Sequence, residues 1–265
     1  MVSLLRYPRK TSAGLAQNAK HRFAANHALV AYRTGAVFTY IPKNGCTTLR
    51  YSLALANGVI SGPEDFVWIH ANNSTFSASL AELVRADMSI VILRCPFQRL
   101  ASAFLDKFVS YERNAWNFRR SMDDAIDLPD LTFRQFANEL LNRPGLLRSD
   151  DHWRPQIDFL VYEDYTHWIG LSELSDSNER LTAETGVQLE DTRSMMRHHL
   201  GQKATLDGAY VDAPLRDLHA LMLEGKAPSY GGMYDDALRD VVAKIYKDDL
   251  GLVRDNCSAE PILFP

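Results

Sequence analysis

The sequence predicts an α/β fold, with a central, mainly parallel sheet flanked by helices. Residues 36–41 and 88–93 are short, near-continuous apolar runs rich in β-branched side chains, as expected of parallel strands covered on both faces. Each run leads into a stretch whose apolar residues recur at helical spacing, so strand, turn and helix follow one another twice. Cationic residues stand just beyond both runs, at the strand ends where open α/β sheets hold ligands.

At 265 residues the chain is long enough for one such domain, which we assign to residues 25–265. Residues 1–24 contain Arg6, Arg9, Lys10, Lys20 and Arg22 and read as a basic, loosely ordered arm. Apolar residues at 46% and charged residues at 23% are ordinary for a soluble protein, and a net charge of -4 gives no general attraction to nucleic acid. Cys46, Cys95 and Cys257 are odd in number and far apart, which suggests neither a disulfide framework nor a cysteine zinc site and fits a reducing compartment. No run approaches the roughly twenty apolar residues of a membrane span, and the start lacks the apolar core of a signal peptide, so a cytoplasmic location is expected.

The first strand ends at Pro42, and residues 47–56 read as a helix, with Leu49, Leu53 and Ala56 on one face and Asn57 and Gly58 closing it. Between them lie Lys43, Asn44, Gly45, Cys46, Thr47 and Thr48. They offer one cation, a glycine that lets backbone come close, two threonine hydroxyls and the free N–H groups of a helix start, which together make a candidate anion site. This is not a Walker A loop, because Lys43 precedes the glycine instead of the hydroxyl residue. A ligand-free turn of the same composition is the competing reading.

Further on, residues 66–69 suggest a short strand or extended segment ending in His70, and Ser79 with Glu82 reads as a capping box opening a helix that shows Leu80, Leu83 and Val84 on one face. The second strand delivers Arg94. From Pro96 onward, Phe97, Leu100, Phe104 and Phe108 form a core stripe, while Arg99, Ser102 and Asp106 share another face. Arg94 at the strand end and Ser102 on the second helical turn form a second candidate anion site. Residues 111–130 are polar with little periodicity and read as an excursion from the core. Residues 132–142 resume helical spacing, residues 159–162 are strand-like, residues 168–171 form a second apolar stretch, residues 175–185 form a helix closed by Gly186, and residues 235–247 form another with Leu238, Val241, Val242 and Ile245. His198 and His199 would point opposite ways on a strand, so no shared metal is expected.

Two strand-ending anion sites imply a ligand with phosphate-like groups at both ends. In these features the chain resembles the sulfotransferases, most closely the carbohydrate branch that includes chondroitin, dermatan and heparan sulfate enzymes. There a P-K-x-x-[CG]-[TS] loop grips the 5′-phosphosulfate of the donor 3′-phosphoadenosine-5′-phosphosulfate, and IPKNGCTT looks like that loop. A strand followed by R-x-P-x-x-R-x-x-S grips the 3′-phosphate, and Arg94, Pro96, Arg99 and Ser102 match it, with Cys95 where Asp is commoner. His152, Trp153, Pro155 and Gln156 resemble the branch's H-W-x-P-Q segment, and Ile245, Tyr246, Asp249 and Leu250 its I-Y-x-x-D-[FL] close, so the resemblance spans residues 38–253.

The resemblance implies a P-loop-NTPase-like sulfotransferase fold and transfer of a sulfuryl group from that donor to a hydroxyl acceptor, a carbohydrate, with no metal. Lys43 would meet the charge of the leaving phosphate. The base would be His70, which lies between the donor motifs as the base does in some heparan-modifying members, or His152. Histidine suits the role because its ordinary pKa lies near neutrality. Tyr111, Trp116 and Trp153 are candidates to stack on sugar rings. Two rival readings stand beside this one: a nucleotide-dependent kinase with an unusual phosphate loop, and a non-catalytic nucleotide-binding protein of the same fold.

Overall fold

The computed structural model describes residues 4–8, 14–72, 74–123, 125–195 and 203–264, so His198 and His199 lie outside the described residues. The chain divides into two compact units, neither continuous in sequence. One comprises Met1–Arg94, Gln156–Met195 and Leu252–Glu260, the other Cys95–Pro155, Met196–Gly251 and Pro261–Pro265.

The first unit opens with helix α1 (Ala19–Asn26), where the Asn18 side chain accepts from the His21 N–H. Strands β1 (Ala28–Ala31) and β2 (Ala36–Thr39) are buried throughout and form an antiparallel pair. Helix α2 (Cys46–Ala56) follows, and Gly58, at φ 71°, turns the chain away from its end. Residues 66–69 are not a strand. Residues 66 and 67 form a turn that leads into helix α3 (Trp68–Ala71), and of the four only Ile69 is buried while Val67 is 74% exposed. The capping box of Ser79 and Glu82 opens α4 (Leu80–Arg85), but of Leu80, Leu83 and Val84 only Leu83 is buried, the other two being exposed. Strand β3 (Ser89–Leu93) is wholly buried and closes this first segment.

In the second unit α5 (Pro96–Lys107) buries Phe97, Leu100 and Phe104 as its spacing requires. Residues 111–130, expected to leave the core, instead contain α6 (Arg113–Ser121), which inserts Ala115 and Phe118; Met122 and Leu128 are buried beside them. Two inward residues in nine give too thin a stripe to read as a helix. Then come α7 (Phe133–Asn142), capped by Thr132 and Gln135, and the short α8 (Pro144–Leu147). Phe104, Phe108, Phe118, Phe133, Phe136 and Trp153 pack as one aromatic core, with ring centroids of Phe108 and Phe136 4.6 Å apart.

The chain then re-enters the first unit. The strand-like residues 159–162 form no ladder: a 3-10 turn covers Gln156–Phe159, and Tyr162 makes only an isolated bridge to Leu5. Strand β4 (His167–Gly170) pairs with β3, and α9 (Asn178–Thr185) ends at Gly186 in the left-handed conformation. Strand β5 (Ala204–Leu206), α10 (Leu215–Leu223), β6 (Lys226–Pro228) and α11 (Asp236–Ile245), capped by Asp235, complete the second unit, with β5 and β6 paired in a small parallel sheet.

The main sheet has the order β1-β2-β3-β4, with β2, β3 and β4 parallel, so the fold is α/β with a mainly parallel sheet flanked by helices. Among the described residues no helix is long and apolar enough to cross a membrane.

Candidate functional site

Because β2 and β3 are parallel neighbours, with Thr39 opposite Val91, their carboxyl ends lie on the same edge of one sheet. That edge carries the Lys43 loop after one strand and Arg94 after the other. Lys43 and Gly45 both have positive φ, 72° and 71°. A lysine held left-handed costs roughly 1–2 kcal/mol, and strain of this kind gathers at functional sites. Gly45 is the N-cap of α2, where its left-handed φ suits glycine. A Cβ there would also come within 3.2 Å of Leu171 Cδ1 and 3.3 Å of Leu174 Cδ2. With glycine in that place no side chain caps α2, so the first-turn N–H groups of Cys46, Thr47 and Thr48 are left to a ligand.

Hydrogen bonds fasten the loop to the end of β3. Arg94 Nη1 donates to the Lys43 carbonyl at 2.9 Å. Asn44, 1% exposed, donates through Nδ2 to the Ile92 carbonyl and to Gln156 Oε1, at 2.9 and 2.6 Å. The fully buried Gln156 also accepts from the Arg94 N–H and donates from Nε2 to the Arg94 carbonyl. One amide side chain thus ties both backbone groups of Arg94 to Asn44. Asn44 Oδ1 is buried without a hydrogen-bond partner among the described residues, a polar atom at the foot of the loop that nothing there satisfies. The Thr48 hydroxyl shares a hydrogen bond of 2.9 Å with that of Thr192.

These contacts bring Lys43, Asn44, Gly45, Cys46, Thr47, Thr48 and Arg94 into one cationic, amide-rich site that suits an anion. His70, in the same unit, stands exposed on α3, its ring nearly perpendicular to that of Phe66 with the two centroids 5.5 Å apart. Ser102 belongs to the second unit, buried on α5.

The second unit holds His152. Its Nδ1 lies 2.7 Å from Asp150 Oδ1, which also accepts the His152 backbone N–H, and Asn114 Nδ2 donates to Asp150 Oδ2 at 2.5 Å. Burial pushes the Asp150 carboxyl up, but the hydrogen bonds and charge of His152, with the Asn114 amide, outweigh it and hold the group below its ordinary value. An ionised carboxylate only accepts, so the nitrogen that faces it, Nδ1, carries a hydrogen, and in the neutral ring Nε2 is then the nitrogen with the lone pair. A histidine oriented in this way is equipped to take a proton. Trp153, considered for sugar stacking, is 1% exposed and packs in the aromatic core, which removes it from that role; Trp116 is 42% exposed and Tyr111 sets its ring against His219.

The sequence reading assigned no role to Gln156, Asp150, Asn114 or Thr192. Gln156 and Asp150 stand within or beside the H-W-x-P-Q segment, which could have flagged them. Asn114 fell in the stretch read as an excursion, and Thr192 carried no signal. Among the described residues no group of three or more His, Cys, Asp or Glu side chains gathers as a metal site.

Comparison with known proteins points the same way. Carbohydrate sulfotransferase 10 of Danio rerio is 27% identical over 175 residues, covering 58% of this chain and 46% of that protein. The Xenopus laevis protein of the same name is 28% identical over 177 residues, 60% of this chain and 48% of its own. That of Gallus gallus is 27% identical over 201 residues, 70% and 51%. The chain therefore spans about half the length of these curated relatives. No solved structure matches it. The sulfotransferase family matches residues 26–252, a span that takes in the Lys43 loop, Arg94 and the His152 turn alike, and the chain belongs to that family.

Proposed function

We propose that this protein moves the sulfuryl group of 3′-phosphoadenosine-5′-phosphosulfate to a hydroxyl of a saccharide. The observation that carries the reading is the joining of the uncapped α2 loop to Arg94 through the Lys43 carbonyl and Gln156, a cationic edge built for an anionic donor. The unsatisfied Asn44 Oδ1 and the left-handed Lys43 support the fit. The acceptor class comes from the relatives, each named a carbohydrate sulfotransferase.

In the transfer the acceptor oxygen attacks sulfur in line, the bond from sulfur to the 5′-phosphate oxygen breaks, and the electron pair leaves with the phosphate. Lys43 and the N–H groups at the start of α2 meet the growing charge. Because the Thr48 hydroxyl is engaged with Thr192, we give the donor the Thr48 N–H. Arg94 and Ser102 serve the 3′-phosphate, as the sequence resemblance implies. The acceptor's proton goes to His152 Nε2. We assign the base to His152 in preference to His70 because Asp150 fixes the tautomer of His152.

Incubation with radiolabelled donor and a panel of glycans, phenols and lipids tests the reading. Label should pass to a glycan, and should still do so in excess EDTA, where a magnesium-dependent kinase would be inactive. Donor binding without transfer to any acceptor would favour the non-catalytic reading. His152→Ala should abolish turnover with donor affinity intact. If instead His70→Ala does so and His152→Ala does not, the base is His70.

A further inference from the structure

We infer that Arg99 and Tyr246 are positioning residues that hold the His152 turn, so that the second arginine of the 3′-phosphate motif acts on the acceptor side of the reaction and not on the donor. The inference rests on the reading of His152 as base and concerns what keeps that base aimed.

Arg99 lies on α5 and is 2% exposed. Its guanidinium is spread over two carbonyls of the turn: Nη1 donates to that of Arg154 at 2.7 Å and Nη2 to that of Asp151 at 3.0 Å. The Tyr246 hydroxyl donates to the carbonyl between them, that of Trp153, and the Trp153 indole N–H donates to the Leu146 carbonyl at 2.8 Å. The residues on both sides of His152 are therefore held by their own backbone, while its imidazole is held by Asp150.

Such an arrangement needs a fork. A planar guanidinium serves two carbonyls three residues apart from two separate nitrogens, whereas an ammonium would have to reach both from one. Tyr246 is suited to permanent donation because burial above all, with Asp249 adding to it and Arg99 opposing it, pushes its phenol well up. Asp249 is itself 1% exposed. Two motifs that the donor site leaves without a task, the inner arginine and the I-Y-x-x-D close, thus converge on the backbone that carries the base.

The test compares wild type with Arg99→Lys and Tyr246→Phe, chosen because both keep most of the buried volume. Binding of 3′-phosphoadenosine-5′-phosphate is read by calorimetry, turnover by the transfer assay, and the His152 ring nitrogens by 15N chemical shift. We expect nucleotide affinity within about threefold of wild type, a fall in turnover of tenfold or more for Arg99→Lys with a smaller fall for Tyr246→Phe, and His152 nitrogens that drift from the single Nδ1–H tautomer toward a mixture. Unchanged His152 nitrogens in both variants overturn the inference, whatever the turnover. A tenfold loss of nucleotide affinity in Arg99→Lys with those nitrogens unmoved makes Arg99 a donor contact. If the nitrogens shift but His152→Ala still turns over, the positioning stands and the assignment of the base fails.

Discussion

Gln156→Ala isolates the joint between the two strand ends. The fully buried amide accepts from Asn44 and from the Arg94 N–H and donates to the Arg94 carbonyl. Asn44 retains its bond to Ile92, but both backbone groups of Arg94 lose a partner. Three hydrogen bonds at about 0.5–1.5 kcal/mol each give a loss of roughly 2–4 kcal/mol, toward the upper end because the stranded groups stay buried. At about 2–4 °C per kcal/mol for a chain of this size, the melting temperature should fall by roughly 5–15 °C. Calorimetric titration with 3′-phosphoadenosine-5′-phosphate should show affinity at least tenfold weaker, since Arg94 and the loop lose their common anchor. Gln156→Glu refines the test. The introduced carboxyl keeps one accepting oxygen but turns the other on the Arg94 carbonyl, and burial raises its folded pKa above the ordinary value of about 4.3. Below that value it is neutral in both states, so the deficit against wild type should be smallest near pH 4 and grow toward pH 7. A Gln156→Ala protein melting within a degree of wild type, or a Gln156→Glu deficit that does not change with pH, would refute the reasoning.

Lys43→Ala and Lys43→Gly should both cut turnover far more than donor affinity, because only contacts stronger in the transition state speed the chemical step. The glycine variant should be the more stable of the two by about 1 kcal/mol, since it alone relaxes the left-handed φ of 72°; equal denaturation midpoints would contradict this. Arg94→Ala should weaken binding of a 3′-phosphorylated nucleotide by about 1.5–3 kcal/mol while leaving a nucleotide without that phosphate much less affected, and equal losses in paired titrations would place the phosphate elsewhere. The same titrations on Ser102→Ala test the contact that the sequence resemblance gives that hydroxyl. The carboxyl of Asp150, held below its ordinary value in the folded protein, contributes stability above its unfolded pKa of about 3.9 and loses it as pH falls through the folded value. Urea denaturation of Asp150→Asn should therefore differ most from wild type near neutrality, the gap closing below about pH 4.

What was legible in the sequence was what short range decides. The capping box at Ser79, the stops at Gly58 and Gly186 and the two buried strands each depend on residues a few positions apart, where backbone geometry and side-chain chemistry act directly. The Lys43 loop was legible for the same reason, since a strand, a glycine and a helix start are neighbours in sequence. The errors fell where an apolar run has to be told apart by its partners. Phe159, Leu160, Val161 and Tyr162 are all fully buried, as a core strand would be, yet bonds such as that of Val161 O with Arg6 and that of its N–H with the Tyr165 hydroxyl form no ladder. Burial and strand pairing are separate demands, and periodicity reports only the first.

The same division explains why the letters of the H-W-x-P-Q segment could be read while their functions could not. Gln156 acts on Asn44, 112 positions away, and on Arg94, 62 positions away; Asn114 acts on Asp150 across 36. Arg99 reaches the carbonyls of the His152 turn from more than fifty positions off, and Tyr246 reaches Trp153 across 93. Each of these side chains completes a site begun elsewhere in the chain, and each is buried or half-buried. A residue placed to meet an anion announces itself by charge and by its place at a strand end. One that holds such a residue in place has no local pattern of its own, because its task is defined by the distant backbone it must reach. In this protein the holding residues therefore emerge only when the fold brings those carbonyls and amides within hydrogen-bonding distance.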